Sequence, residues 1–328
     1  MQPRLNQSNP SMHHLPDPHR PTGKPIRARL TCVASSLLLF TLATSIWAGD
    51  SETTAPVKHR ALICEYSGAA RRLIEIAPDG KLTWEFKFPA LSVCFQATGG
   101  GKVVYADGGV PTGIQEIDRD QKVVFDYRSK CEQILSCDQL PNGNYLIAEQ
   151  GPCQAVEITP KGEVLSTVKL QTTEQAAHRQ LRCLHRLANG HLLAAHEAEG
   201  VVREYDATGK PVWEFPNTPN VFEALRLANG NTLIGCGTDK RVIEVTPEKQ
   251  IVWELTAADA PELNLTWITS LQVLKNGNIV VANFLRGHEG KGAHAFEVTH
   301  DKQKKIVWKF DDHALVKSIS MVRILDDQ

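Results

Sequence analysis

Six side chains that can bind a metal ion or move a proton recur at one equivalent position of a repeated segment. In five repeats this position lies six residues after a turn glycine, and an incomplete repeat supplies the sixth member. The members are Glu65, Asp107, Glu149, His196, Cys236 and Asn283. Oxygen donors suit a calcium-like divalent cation, which would also relieve the repulsion between neighbouring carboxylates. The pattern therefore predicts either a cation site at Glu65, Asp107, Glu149 and Asn283 or a polar rim that faces water.

Histidine offers a second chemistry at the same position. His196 could act as a general base or nucleophile, with His185 behind it, because imidazole titrates near neutrality. Arg182, or alternatively Arg179, could hold an anionic group of a substrate through two parallel hydrogen bonds. The alternative is that these histidines are hydrogen-bonded structural residues and that the arginine only adds surface charge.

Four further residues are candidates for binding. Cys236 lies between two glycines at the end of a predicted strand, and Glu223 lies in the first strand of the same repeat. Trp267 and Arg286 lie on loops that we expect at the same face, and loops on a rigid scaffold often carry binding residues. Polar residues recur along the first strands, which predicts either a water-filled structural channel or a ligand site.

Short strands between turns must position these side chains. Glycines at positions 101, 143, 190, 230 and 277 each precede an apolar strand, and most of them follow asparagine, which favours a tight hairpin. Four strands in about 40 residues are typical of a propeller blade. A second turn in each repeat introduces a strand that has an aromatic residue at a fixed place in every repeat except the third, which has Ser166 there. We expect these aromatic residues to fill the gap between blades. These residues are Trp84, Phe125, Trp213, Trp253 and Trp308.

The order of the repeats predicts how the ring closes. Complete four-strand units cover roughly 92–128, 132–170, 180–215, 221–256 and 267–311. A unit without its first strand precedes them, and a first strand without its unit, SISMVRILDDQ, follows them. We therefore expect an all-β, six-bladed propeller with four antiparallel strands per blade. The C-terminal strand would join the N-terminal blade and remove the open edges. Residues 49–328 would form this single domain.

The N-terminal residues 1–48 are expected to be a leader and signal peptide. A basic stretch precedes an uncharged apolar run, and a small residue, Ala48, ends that run. The protein would then be exported to the periplasm or secreted. If the segment is not cleaved, it would anchor the protein in the membrane.

Charge and cysteine content limit the partners. The chain has 36 basic and 37 acidic residues, so no strong field favours nucleic acid. We expect a monomer that binds a small molecule or a protein, without a membrane span after cleavage. Seven cysteines follow the leader, so at least one has no partner within the chain. Cys131 and Cys153, on two loops at one end of a blade, are the candidate disulfide.

The repeats resemble two known groups of propellers. Residues 205–213, YDATGKPVW, resemble the tryptophan-docking, WD-like repeat of pyrroloquinoline-quinone-type propellers. The segments LPNGNYLIA and EVTPEKQIVWEL are similar to repeats of bacterial arylsulfate sulfotransferases, which are exported six-bladed propellers. That second resemblance implies sulfuryl transfer by channel histidines, with His196, His185 and Arg182 in these roles. The adjacent cysteine pair that stacks on the quinone is absent, so we expect no quinone cofactor.

Two functions from different classes are compatible with these patterns. The first is an exported binding module with a ligand or protein site at one face of the central channel. The second is an enzyme at the channel mouth. It would be either a sulfotransferase that uses His196 or a metal-assisted hydrolase or lyase that uses the carboxylates.

Overall fold

The computed structural model describes residues 58–67 and 70–326, and these form six four-stranded antiparallel sheets. Each sheet is one blade, so the predicted all-β, six-bladed propeller is confirmed. Within the described residues, no helix is long and apolar enough to cross a membrane. The predicted leader lies outside the described residues.

The blades are numbered from the N-terminus, and their strands are given from the innermost outward. Blade 1 contains β24 (Ile319–Ile324), β1 (Ala61–Ser67), β2 (Ala70–Ile76) and β3 (Leu82–Lys87). Blade 2 contains β4 (Phe95–Ala97), β5 (Val103–Asp107), β6 (Gly113–Ile117) and β7 (Val123–Arg128). Blade 3 contains β8 (Gln133–Gln139), β9 (Tyr145–Gln150), β10 (Gln154–Ile158) and β11 (Val164–Lys169).

The remaining blades have the same order. Blade 4 contains β12 (Cys183–Arg186), β13 (Leu192–His196), β14 (Val201–Tyr205) and β15 (Pro211–Phe215). Blade 5 contains β16 (Glu223–Arg226), β17 (Thr232–Gly235), β18 (Arg241–Val245) and β19 (Ile251–Thr256). Blade 6 contains β20 (Ile268–Val273), β21 (Ile279–Asn283), β22 (Ala295–Val298) and β23 (Ile306–Phe310). Short 3₁₀ turns cover Gly99–Gly101, Ala177–Arg179 and Pro261–Leu263.

The C-terminal strand closes the ring as predicted. β24 pairs antiparallel with β1, with Ile324 opposite Ala61 and Val322 opposite Ile63. The innermost strands contact one another in sequence around the axis, and β24 contacts both β20 and β4. The closing strand therefore covers the inner edge of β1, and the six innermost strands line a common central channel, where their short edges are protected.

The recurring tryptophans tie neighbouring blades together. The indole nitrogens of Trp84, Trp213 and Trp253 each donate a hydrogen bond of 2.8 to 2.9 Å to a carbonyl in the outer turn of the next blade. The predicted role of this aromatic position between blades is confirmed for these three. An indole suits the place because it fills a wide gap and has one donor to satisfy.

A glutamate on each third strand makes a second contact between blades that the sequence analysis missed. The six are Glu75, Glu116, Glu157, Glu204, Glu244 and Glu297, and all except Glu157 are buried. Each accepts a hydrogen bond or ion pair from the next blade. In the same order the partners are Arg119, Tyr145, Arg186, Arg226, His300 and His59. We call these six residues the glutamate ring.

Glutamates of blades 3 to 6 also bind the asparagine turns of their own blades. Glu297, for example, accepts bonds from Asn276 and Asn278, at 3.3 and 2.6 Å, as well as from His59 at 2.7 Å. Burial opposes its ionisation, but these hydrogen bonds, with that of His59 the strongest, lower the pKa of Glu297 below its ordinary value. One side chain therefore holds both a hairpin and a blade junction.

Replacing Glu297 by alanine should lower the free energy of unfolding by about 3 kcal/mol, because His59 and two asparagines lose a buried acceptor. The matched control is Glu163→Ala, which removes an exposed glutamate from an outer turn and should change it by less than about 0.5 kcal/mol. Chemical denaturation measures both. Equal small losses in the two variants would show that the ring is not a main source of stability.

Candidate functional site

A cavity of about 200 Å³ lies on the propeller axis. Each of the six innermost strands contributes to its wall, so this cavity is part of the central channel. The wall residues on these strands include Gln96, Ser136, Asp138, Cys183, His185, Glu223, Thr269, Met321 and Arg323. The polar residues that were noted on the first strands thus line a cavity rather than a tightly packed core.

Several polar residues of the channel wall connect neighbouring blades through backbone groups. The Ser136 hydroxyl accepts a bond of 3.0 Å from the Leu184 amide of the next blade. The side-chain amide of Gln272 accepts a bond of 2.7 Å from the backbone amide of Ile324 and donates one to the backbone carbonyl of Ile324. These residues have a structural role, which leaves only part of the polar wall for a ligand.

A charged cluster occupies one side of the channel cavity. His185 bonds through Nδ1 to Asp138 at 2.6 Å and through Nε2 to Glu223 at 2.8 Å. Arg323 approaches the second oxygen of Glu223 at 3.5 Å. Burial alone would lower the pKa of His185, but the charge of Asp138 and the hydrogen bonds around the ring raise it well above its ordinary value. His185 is therefore an imidazolium between two carboxylates, without a lone pair to accept a proton.

A second cavity of about 80 Å³ lies beside the first and shares Val93, Arg182, Phe222 and Thr269 with it. Four aromatic rings surround this mouth cavity. Phe222 contacts Trp267 edge to face at 5.5 Å between ring centroids. Phe284 lies 6.1 Å from Trp267 and 6.0 Å from Tyr66. The mouth cavity therefore has an apolar wall with exposed ring edges and faces.

Positive charge lies beside these rings. The guanidinium of Arg182 is buried, ion-paired to Glu197 and placed 4.8 Å from the centroid of Phe222. Burial lowers the pKa of Arg182, and Glu197 offsets part of this effect. Arg286 also lines the mouth cavity but is exposed, and it has no hydrogen bond or ion pair to any described residue. One guanidinium is thus fixed in place and the other is available.

The four predicted cation ligands are not brought together. Each is held within its own blade or closing loop. Glu65 binds Arg72 at 2.6 Å, and Asp107 binds Arg128. Glu149 accepts a bond of 2.7 Å from Gln154, and Asn283 accepts one of 2.8 Å from the Thr266 amide. One group of three potential metal ligands occurs among the described residues, and it contains none of these four. Second-strand positions lie too far from the axis to converge.

His196 and Cys236 line neither cavity. His196 is fully buried, and its Nε2 bonds to the Tyr205 hydroxyl at 2.7 Å. Burial, followed by the charge of Arg203, lowers the pKa of His196 to about 3. Cys236 is also fully buried, and burial raises the pKa of its thiol to about 12. The structure separates His196 from His185, so the two do not form the pair of channel histidines that was predicted.

The candidate disulfide is not formed. Cys131 and Cys153 are free thiols, as are the other five cysteines of the described residues. Cys131 packs beside Val104 and Cys137, whereas Cys153 packs beside Leu170 and Tyr205 in a separate hydrophobic cluster. The prediction was wrong because the two loops lead their cysteines to opposite sides of the blade.

Five of the candidate residues do lie around the two cavities: Arg182, His185, Glu223, Trp267 and Arg286. Asp138, Arg323, Phe222 and Phe284 complete the site and were not among the candidates predicted from the sequence. Asp138 stands at the same first-strand position as His185 in the preceding repeat, so the repeat alignment could have selected it. Phe222 and Phe284 stand directly beside aligned positions, Glu223 and Asn283, but no aromatic residue recurs there in the other complete repeats.

The comparisons agree on the fold. No protein-family model matches this chain, and no curated protein matches it. A protein of unknown function from Bacteroides caccae has a similar structure, with 25% identity and a TM-score of 0.72 over 81% of this chain and 98% of that one. Streptogramin B lyase is similar at 14% identity, with a TM-score of 0.55 over 78% and 84% of the two chains. Virginiamycin B lyase from Staphylococcus aureus has 13% identity and a TM-score of 0.53 over 78% and 87%. These likenesses support a β-propeller.

Acid should destabilise the protein partly through His196. In the unfolded state His196 is protonated below about pH 6.5, whereas in the folded state it is protonated only below about pH 3. The free energy of unfolding therefore falls as the pH falls through this window. In His196→Phe this loss between about pH 6.5 and pH 4.5 should be smaller by about 1–2 kcal/mol. Urea denaturation at several pH values measures it, with the exposed His288→Phe as control. An unchanged pH dependence in His196→Phe would contradict the assignment.

Proposed function

We propose that this protein is an exported binding module that takes a small anionic ligand with a flat apolar ring at the mouth of its channel. The observation that carries this proposal is the row of aromatic rings beside Arg286, a guanidinium without a partner among the described residues. Aromatic rings favour flat apolar groups, and an unpaired guanidinium favours a carboxylate, sulfate or phosphate.

The size of the cavities limits the ligand. The two spaces measure about 80 and 200 Å³, whereas pockets for drug-sized ligands are roughly 300–1,000 Å³. A cavity of about 150 Å³ is enough for benzene. The mouth cavity alone is smaller than this, so a single ring fits only if it extends past Phe222 into the adjoining channel cavity of about 200 Å³. Larger ligands would extend over the loops around the mouth.

The charge distribution sets the orientation of the ligand. Arg182 is paired with Glu197 through Nε and Nη2, so the charge of Arg182 is already balanced and attracts an anion less than that of Arg286. Arg286 lies at the exposed side of the mouth cavity and can meet an anion without breaking a bond. We therefore expect the ring to enter toward Phe222 and Trp267 and the anionic group to stay near Arg286.

The geometry favours binding over the histidine-based enzyme. Histidine acts as a nucleophile or base through a free ring nitrogen. In His185 both nitrogens are bonded to carboxylates, and His196 lines neither cavity. The likeness to the two lyases named above supports the fold alone, so their activity is not part of this proposal.

Export is part of the proposal and rests on the sequence of residues 1–48. N-terminal sequencing of protein isolated from the producing cells should give a start near Gly49, since the cleavage site is expected after Ala48. A start at the initiating methionine in the mature, folded protein would contradict cleavage.

Ligand binding can be tested by calorimetric titration with benzoate and 4-nitrophenyl sulfate, with benzyl alcohol as the neutral ring. The anions should bind at least about tenfold more tightly than the alcohol, and Arg286→Ala should remove that preference, a change of about 1.4 kcal/mol. Trp267→Leu should weaken both anions and the alcohol, because the ring loses its aromatic contact.

The control for this titration is Lys161→Ala, which removes one positive charge from an exposed turn on the opposite face. It should leave the affinities unchanged. Binding that does not distinguish anions from the alcohol, or that is equally reduced by Lys161→Ala and Arg286→Ala, would contradict the proposed site.

A further inference from the structure

We propose that Cys183, His185 and Glu223 form a transition-metal site in the wall of the channel cavity, suited to Zn²⁺. Their potential ligand atoms lie within 4.8 Å of one another, and all three residues line the cavity of about 200 Å³. This site is separate from the proposed binding of an anion at the mouth and does not depend on it.

The strand geometry brings the three residues together. Cys183 and His185 stand two residues apart on β12, so their side chains leave the same face of the strand, toward the channel. Glu223 is the first residue of β16, the innermost strand of the next blade. Both strands are paired to their neighbours in a regular register, so the ligands stand on rigid elements rather than on loops.

The donor set indicates the class of metal. One thiolate, one imidazole and one carboxylate are ligands of zinc and related transition metals, whereas calcium takes only oxygen ligands. With metal–ligand bonds of about 2.0–2.3 Å, tetrahedral ligands lie about 3.3–3.8 Å apart. The ligand atoms, now within 4.8 Å of one another, must approach by up to about 1 Å to reach these separations. Three protein ligands would leave a fourth position open toward the cavity, as in reactive zinc sites.

Asp138 and Arg323 supply the outer contacts that such a site needs. Asp138 accepts the Nδ1 proton of His185 at 2.6 Å. Metal binding displaces the Nε2 proton that His185 shares with Glu223 and the thiol proton of Cys183, and both protons are released to solvent. A carboxylate behind a ligating histidine orients the ring and makes it more basic. Arg323 lies 3.5 Å from the Oε2 atom of Glu223, so Oε1, which now faces His185 Nε2 at 2.8 Å, remains for the metal.

The test is a titration of the reduced, chelator-treated full chain with Co²⁺. This ion binds in the same sites as Zn²⁺, and its absorption spectrum depends on the ligands around it. The wild-type protein should bind one equivalent with a thiolate-to-cobalt charge-transfer band in the near ultraviolet, and added Zn²⁺ should abolish that band. Cys183→Ser should lose the band. The histidines at positions 13, 14 and 19 have no thiol, so binding to them does not produce this signal.

The matched control is Cys94→Ser, because Cys94 lines the same cavity but does not belong to the group of three. It should keep the band and the affinity. Glu223→Gln should weaken Co²⁺ binding at least about tenfold, and Asp138→Asn should weaken it about 10- to 100-fold through the outer contact. Far-ultraviolet circular dichroism establishes that each variant is folded.

Three results would overturn the proposal. The first is wild-type protein without a stoichiometric thiolate–cobalt band. The second is a band of equal strength in Cys183→Ser. The third is a loss of the band in Cys94→Ser alone. If Cys183→Ser does not fold, Glu223→Gln decides the question, because an unchanged affinity in that variant removes Glu223 from the site.

Discussion

Each junction between blades contains one glutamate that accepts a hydrogen bond or ion pair from the following blade. A buried carboxylate is costly unless it is fully paired, so its partners are constrained to stay in place. In the last junction Glu297 binds His59, which also bonds to Asp326 beside the closing strand β24. The glutamate ring and the tryptophan contacts therefore keep the blades at fixed spacing. The width of the central channel, and with it the shape of both cavities, depends on that spacing.

Within this regular frame the channel is not symmetric. Ser136 of blade 3 and Gln272 of blade 6, on opposite sides of the axis, use their polar atoms to bind the backbone of neighbouring blades. At blade 4 His185 contacts two carboxylates. The mouth of the channel has four aromatic rings and Arg286, which has no hydrogen bond or ion pair to a described residue. Contacts that recur between blades thus stabilise the scaffold, while residues that differ between the repeats form the charged cluster and the mouth cavity. A binding site can therefore arise without changes at the positions that stabilise the fold.

The sequence predicted the fold well and the site only in part. Turn glycines, the tryptophan position and the unpaired C-terminal strand determined the blade number and the closure, because each is a local signal repeated many times. The ring of Glu65, Asp107 and Glu149 failed as a cation site for a physical reason. Equivalent positions in a propeller lie on a circle, and only the circle of the innermost strands is small enough for side chains to meet. Phe222 and Phe284 were not predicted because no aromatic residue recurs at these positions in the other complete repeats, so the repeat gave no signal for them.

The most direct test of the account is a crystal structure of the protein soaked with 4-nitrophenyl sulfate. We expect the ring to lie against Phe222 and Trp267, with the sulfate within hydrogen-bonding distance of Arg286. This result would establish the channel mouth as the binding site. Ligand bound on the opposite face of the propeller, or a mouth cavity filled only by water at saturating ligand, would contradict it.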